Sequence, residues 1–298
     1  MFDRIKALSD ELAALVQTAG ESIVRVSARP HFGASGIIWS ADGVIVTAEH
    51  VIEREDRIEV GLPDGRTVGA RLVGRDPTTD LALIRAETAD LKAARFGGLE
   101  NLKVGHIVVA VARPGPELQA TLGIVSAIGG PWRALPGGQL DNYLQTDVAM
   151  YPGFSGGALV AADGSVVGLN TSALARGVSV AVPANTLSRV VETLLTHGRI
   201  RRAYLGIASQ PVRLPDAVRE RVGRGMGLIV VSVETGSPAD RAGLTVGDVI
   251  IAVGDQPVSR PDELLAQLTA DRIGQPLTLR VLRGGQPAEL TVIPAERS

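Results

Sequence analysis

The chain of 298 residues carries 30 Lys and Arg against 32 Asp and Glu, a formal net charge of −2, with 45% hydrophobic residues, 3% aromatics and no cysteine. This near-neutral balance gives no electrostatic reason to expect nucleic acid or an anionic membrane as a partner, and the missing cysteines exclude a disulfide framework, thiolate metal ligands and a cysteine nucleophile. The length suits two domains of about 100–200 residues each, whose cores must be filled by Val, Ile, Leu and Ala because aromatics are so few.

Residues 1–20, MFDRIKALSDELAALVQTAG, read as an N-terminal helix with Ile5, Leu8, Leu12, Leu15 and Val16 on one face. That face is expected to lie on the helix's own domain, with an oligomer contact as the alternative. Charged residues interrupt the segment, so it has no secretory pattern, and no run approaches the roughly 20 apolar residues of a membrane span. The chain as it stands is therefore expected in the cytoplasm, or in the periplasm or beyond if a leader has been trimmed.

From about residue 22 the texture changes to short β-rich runs: SIVRVSA, SGIIWS, VIVTAEHVI, RIEVGL, GARLVGR, LALIRA, HIVVAVA, LGIVSAI, ALVAA and SVVGLN. Asp-Gly pairs at Asp42-Gly43, Asp64-Gly65 and Asp163-Gly164 sit between such runs, a strong hairpin signal. Strands this short and this frequent predict antiparallel barrels or a sandwich over residues 21–198. That domain closes with a helix in PANTLSRVVETLLTHG, where Leu187, Val190, Val191, Leu194 and Leu195 form an apolar stripe and Gly198 is a plausible stop.

A basic bend, GRIRR, is the expected linker to a second unit over residues 203–298. YLGIAS and GLIVVSV read as strands, and GSPADRAGL offers Ser237 as an N-cap with Pro238 at the first helical position. GDVIIAVGDQPV reads as strand, turn, strand. RPDELLAQLTADR reads as a helix with Asp262 and Glu263 in its first turn, and PLTLRVLRG and ELTVIP as closing strands.

GFSGG, residues 153–157, raises the question of chemistry, because it sets Ser155 among glycines. A serine hydroxyl attacks at neutral pH only with a base in contact and donors for the developing oxyanion. Four histidines are available. His197 closes a helix, His31 lies in a loop and His106 stands at a strand entrance, whereas His50 ends a strand, where a rigid frame can present a side chain to a cleft. This favours His50 without excluding the others. The motif also satisfies the nucleophile elbow of α/β-hydrolases, but the residues after Ser155 carry a hairpin pattern and not a helical one, and the acid and base do not come after it in order. The order left is His, Asp, Ser. Among the intervening acids, Asp80 before LALI and Asp147 in QTDVAM are both placed to serve, and spacing does not separate them.

TAEHVI, DPTTDLALI and QTDVAMYPGFSGGALV, followed by ADGSVVGLNTS, resemble the HtrA (Deg) family of trypsin-like serine proteases. The resemblance continues through YLGI and GSPADRAGL–GDVI, which look like that family's C-terminal PDZ domain. It implies a mainly β chain: a chymotrypsin-like double β-barrel protease domain followed by a small α+β PDZ domain. It also implies His50 as general base, Asp80 as the residue orienting it and Ser155 as nucleophile, with an oxyanion hole at Gly153, Phe154 and Ser155 and Asp147 as a structural residue. The strand VSVAVPAN resembles a wall of the primary specificity pocket, with Val180, Ala181 and Val182 favouring a small or medium apolar side chain.

In the PDZ unit, the resemblance places a nest for a peptide carboxylate at Tyr204, Leu205, Gly206 and Ile207, with the helix near 262–270 as the other groove wall. No metal or organic cofactor is implied. The implied substrates are unfolded or damaged polypeptides, the implied assembly a homotrimer, and the alternative function a non-catalytic peptide-binding or chaperone-like protein that keeps the fold. Three features depart from the family pattern: Phe154 stands where Asn is usual, Ala158 where Pro follows SGG, and Ala48-Glu49 before His50 where Asn residues are usual. The loop at about residues 28–34 is also short.

Overall fold

The computed structural model describes residues 2–30, 32–134, 138–199 and 203–296. It divides into two compact units, Met1–Ile200 and Arg201–Ser298. His31 and part of the GRIRR bend lie outside the described residues.

The first unit opens with α1 (Phe2–Gly20). Leu12, Leu15 and Val16 pack against the core, while Phe2, Ile5 and Leu8 on the same apolar side stand exposed. The helix therefore lies on its own domain through its C-terminal half alone.

Six strands follow: β1 (Ile23–Ser27), β2 (Ala34–Ile38), β3 (Val44–Ala48), β4 (Ile58–Gly61), β5 (Thr67–Asp76) and β6 (Leu81–Ala86). They close in the order β1-β2-β3-β6-β5-β4. Closure pairs every edge, which removes the exposed backbone groups that would otherwise invite aggregation. β2 and β3 are buried along their whole length, consistent with strands that pack on both faces. The tight hairpin between them turns at Asp42-Gly43, with Gly43 at φ +92°.

The second barrel is built from β7 (Ile107–Ala112), β8 (Gln119–Gly129), β11 (Tyr143–Thr146), β12 (Ala158–Ala161), β13 (Val166–Thr171) and β14 (Ser179–Pro183). A small ribbon of β9 (Trp132–Arg133) and β10 (Gln139–Leu140) is inserted between β8 and β11. Helix α2 (Ala184–His197) buries Leu187, Val190, Val191 and Leu194 against β5 and β6 of the first barrel and β13 and β14 of the second. It ends at Gly198 in the left-handed conformation, φ 69°, as a helix stop requires. Leu195 of the sequence stripe is 43% exposed and belongs to the rim of the buried face. One apolar cluster runs through the first barrel into the second and under α2, and another fills the second barrel around Phe154, Leu144 and Leu159.

The second unit contains β15 (Ala203–Tyr204), β16 (Ile207–Arg213), α3 (Asp216–Val222), β17 (Met226–Val233), α4 (Pro238–Arg241), β18 (Val249–Val253), β19 (Gln256–Pro257), α5 (Pro261–Gln267), β20 (Leu277–Arg283), β21 (Gln286–Val292) and β22 (Ala295–Glu296). Its main sheet runs β16-β17-β18-β20-β21, with β19 beside β18, and β15 pairs with β22. Ser237 caps α4 by accepting the Asp240 N–H, with Pro238 at the first helical position.

Two features differ from the sequence expectation. The helix expected through residue 270 stops at Gln267, and a separate 3-10 turn covers Ala270–Arg272; the stretch between them carries no Gly or Pro to mark a stop. Helix α3 is absent from the sequence expectation: it is seven residues long with none buried, and its apolar face is only Val218 and Val222, which pack with Leu214 against Ile251 and Leu282.

Candidate active site

The strand β3 ends at Ala48 and runs into a 3-10 turn, Glu49–Val51, that carries His50. Asp80 sits just before β6 with φ 55°, a left-handed conformation uncommon for a residue with a side chain. The turn that holds it is clipped by Asp76, whose carboxylate accepts from the Thr78 N–H at 3.1 Å, the Thr78 hydroxyl at 2.6 Å and the Thr79 hydroxyl at 2.7 Å.

His50 and Asp80 meet because β3 and β6 pair through Ala48 and Leu81. The Glu49 N–H donates to the Asp80 carbonyl at 3.1 Å and the His50 N–H to Asp80 Oδ1 at 2.9 Å. His50 Nδ1 lies 2.9 Å from each carboxylate oxygen. Thr171, at the end of β13, donates its hydroxyl to Asp80 Oδ2. Asp80 is 2% exposed, so its charge is held by hydrogen bonds and not by water, as a buried carboxylate requires.

Ser155 comes from the loop between β11 and β12, on the second barrel. Ser35 of β2 ties that loop to the first barrel: its N–H donates to the Ser155 carbonyl at 3.1 Å and its hydroxyl to the Gly153 carbonyl at 2.8 Å. Gly156, at φ +86°, lies so close to the first barrel that a Cβ there would sit 2.0 Å from the Ser35 carbonyl oxygen. Gly153, at φ +88°, is likewise closed to a side chain, with Pro114 Cβ 2.4 Å from where one would begin. Glycine is thus demanded at both positions by backbone angle and by space.

With the loop held this way, the N–H groups of Gly153 and Ser155 make no hydrogen bond among the described residues, while the Phe154 N–H donates to the Tyr151 carbonyl at 3.0 Å. Of the expected oxyanion residues, Gly153 and Ser155 therefore keep free donors and Phe154 does not. The Phe154 ring is 0% exposed, packed in the second-barrel core and edge-on to Tyr151 with centroids 5.8 Å apart. It points away from the space a substrate would enter.

His50 and Ser155 line one cleft of about 420 Å³, together with Arg29, Phe32, Tyr151 and Ser172. Ser155 Oγ lies 3.5 Å from Ser172 Oγ and makes no hydrogen bond to His50 among the described residues. Asp147 is elsewhere: it is exposed, and its carboxylate accepts the Ile124 N–H of β8 at 2.6 Å. His106 accepts the Lys103 N–H and His197 is exposed at the end of α2. Neither lines the cleft.

Val180, Ala181 and Val182 are 3%, 2% and 0% exposed and do not line the cleft either. β14 is hydrogen-bonded on both sides, to β11 and β13, and its side chains are used in the two cores. Apolar surface in the cleft comes instead from Pro30, Phe32, Met150, Tyr151 and Pro152.

Ser35, Asp76, Thr171 and Ser172 escape the sequence reading. Thr171 and Ser172 stand in the stretch GLNTS, but nothing in its spacing singles them out. Ser35 is an ordinary strand serine until the second barrel is laid against it. Among the described residues, no group of three or more His, Asp or Glu side chains is placed to hold a metal ion.

The model of the trypsin-like peptidase domain matches residues 34–169, and that of the PDZ domain matches residues 203–293. The HtrA-type protease AlgW, solved with a decapeptide, superposes with a TM-score of 0.77 at 30% identity, covering 96% of this chain and 98% of that one. The chain belongs to the HtrA family. The structure of the serine endoprotease from Yersinia pestis superposes with a TM-score of 0.76 at 30% identity, over 95% of this chain and 97% of that one. Among curated HtrA relatives, a probable periplasmic serine endoprotease, DegP-like, of Marinomonas sp. (strain MWYL1) is 39% identical over 87% of this chain and 56% of its own length. The putative serine protease HhoB of Synechocystis sp. (strain ATCC 27184 / PCC 6803 / Kazusa) is 34% identical over 87% of this chain and 65% of its own. The chain thus spans between about half and two thirds of the length of these two curated relatives. No helix among the described residues is long and apolar enough to cross a membrane.

Proposed function

We propose that this chain is a serine endopeptidase in which Ser155 attacks the scissile carbonyl, His50 takes its proton and Asp80 orients His50. The observation that carries this reading is a histidine braced by a buried carboxylate and facing the same cleft as a serine whose own N–H, with that of Gly153, is unengaged. The Asp80 carboxylate keeps the imidazole proton on Nδ1, which leaves Nε2 as the acceptor for the serine proton. As the serine oxygen bonds to carbon, the carbonyl oxygen gains charge, and the Gly153 and Ser155 N–H groups receive it. His50 then gives the proton to the leaving amine, and water repeats the sequence on the acyl-enzyme.

Ser155 Oγ lies 3.5 Å from Ser172 Oγ, and on this reading its hydrogen bond to His50 forms when substrate is bound, as catalytic hydrogen bonds often tighten only then.

Substrates on this reading are unfolded or damaged polypeptides, and the role is protein quality control. The names of the curated relatives support the protease chemistry. The PDZ unit takes peptide C-termini at Tyr204–Ile207, and the assembly is a homotrimer, with the exposed apolar part of α1 available to it. The test is casein degradation together with labelling by a fluorophosphonate probe. Wild type is expected to do both and Ser155→Ala neither. Equal degradation by cleanly purified wild type and Ser155→Ala removes Ser155 as nucleophile, and absence of both reactions in wild type, even with a C-terminal activating peptide, favours a non-catalytic peptide-binding protein.

A further inference from the structure

The sheet of the second unit ends at β16, which pairs only with β17 among the described residues. Just before it, the Leu205 carbonyl accepts the Ala239 N–H and the Gly206 carbonyl the Glu234 N–H, both at 2.9 Å. Both carbonyls are turned into the domain. The N–H groups in the same two peptide planes, those of Gly206 and Ile207, point the opposite way, outward, and Gly206 reaches this arrangement at φ +83°. Successive outward N–H groups of this kind form a concavity for an anion.

The direction of each backbone group along β16 is set by the ladder behind it. The Val230 N–H donates to the Asp248 carbonyl at 2.8 Å and the Val230 carbonyl accepts the Gly247 N–H at 2.9 Å. Val230 thus faces away from β16, and so does Leu228 two residues earlier, because backbone groups alternate along a strand. Ser209 is opposite Val230 and Pro211 opposite Leu228. The backbones of Ser209 and Pro211 therefore face outward, and the same alternation carries Ile207. Ser209 offers an incoming strand both a donor and an acceptor. Pro211 offers a carbonyl only, and its ring occupies the place of the missing N–H.

We infer that Pro211 sets the length of peptide this groove reads, confining main-chain recognition to about the last four residues of a polypeptide with a free C-terminus. The inference rests on the proposed binding of peptide C-termini at Tyr204–Ile207. A peptide whose terminal carboxylate lies on the Leu205–Ile207 loop runs antiparallel to β16, so its third residue from the end meets Ser209 and its fifth meets Pro211. The ladder completes at the third residue and breaks at the fifth, whose N–H can still reach the Pro211 carbonyl but whose own carbonyl finds no donor. The occupant is a short, frayed C-terminal tail, not a long added strand.

The test uses the full chain carrying Ser155→Ala, so that peptides are not cleaved. A free-carboxylate heptapeptide is selected from a random C-terminal library, and its N-terminal truncations to five, four and three residues are measured by fluorescence anisotropy, with the amidated heptapeptide beside them. The seven-, five- and four-residue peptides are expected to bind within about threefold of one another. Adding Pro211→Ala is expected to tighten the heptapeptide about fivefold, the worth of one added main-chain hydrogen bond, and to leave the three-residue peptide unchanged. A heptapeptide that binds the unaltered groove tenfold tighter than the four-residue peptide overturns the inference, as does a folded Pro211→Ala chain that treats all lengths alike. If no free-carboxylate peptide binds, or the amidated one binds equally well, the proposed recognition of C-termini itself fails and the inference falls with it.

Discussion

His50 Nδ1 lies 2.9 Å from both carboxylate oxygens of Asp80, and the backbone N–H of His50 donates to one of those same oxygens. One acid therefore fixes both the ring and the main chain of the base. Asp80→Asn keeps the shape but presents an amide where the imidazole N–H needs an acceptor. Casein-peptide hydrolysis by that variant is expected to fall about 10⁴-fold in kcat, the order found for this change in another triad, with the melting temperature little moved. A loss below tenfold in steady-state kinetics would remove Asp80 from the mechanism.

Ser172 Oγ lies 3.5 Å from Ser155 Oγ. If it holds the nucleophile away from His50, Ser172→Ala is expected to raise the rate of fluorophosphonate labelling about two- to fivefold, since a neutral hydrogen bond near the limiting distance contributes at most about 1 kcal/mol. A slower rate in the variant would show instead that Ser172 assists the attack.

Phe154 fills the second-barrel core where the family usually carries Asn. Phe154→Ala is expected to destabilise the first unit by about 3–5 kcal/mol, as for other buried phenylalanines, measured by urea unfolding monitored through Trp39 and Trp132 fluorescence. Because the ring anchors the loop that bears the free Gly153 and Ser155 N–H groups, labelling of Ser155 is also expected to slow under conditions where the variant remains folded. A fall in stability with unchanged labelling would limit Phe154 to packing.

Gly156→Ala sets a methyl group against the Ser35 carbonyl at a backbone angle that side chains rarely adopt. The expected outcome is loss of Ser155 labelling, together with destabilisation of at least about 1 kcal/mol, read from the same unfolding curves. Gly65→Ala, also at positive φ but with open space around it, serves as the control and is expected to label normally.

In the second unit, Asp248 is 1% exposed and receives Arg283 on both oxygens, at 2.9 and 2.7 Å, and the Thr245 N–H at 2.9 Å. The Arg283 guanidinium beside it, with help from Thr245, holds its carboxyl below the usual carboxylate value. A folded pKa below the unfolded one adds stability that is present above the unfolded pKa of about 3.9 and is lost as pH falls through the folded value. Stability of the second unit is therefore expected to drop on acidification from about pH 5 to about pH 2, and Asp248→Asn to flatten that drop. A variant with the same acid limb as wild type would assign the pH dependence to other carboxylates.

The sequence by itself determined the two-unit plan and most strands, because alternation, Asp-Gly turns and the helical stripe of α2 are local signals. The glycines of GFSGG and the order of His, Asp and Ser were legible for the same reason. The tertiary structure supplied the physical reason for the acid beside His50: spacing left Asp80 and Asp147 open, the resemblance implied Asp80, and the β3–β6 pairing sets Asp80 against the ring while β8 occupies Asp147. It also decided that Ser35 and Thr171 brace the site and that Val180–Val182 belong to the cores. Strand sequence records which residues alternate but not which barrel, closing from distant segments, comes to rest against them.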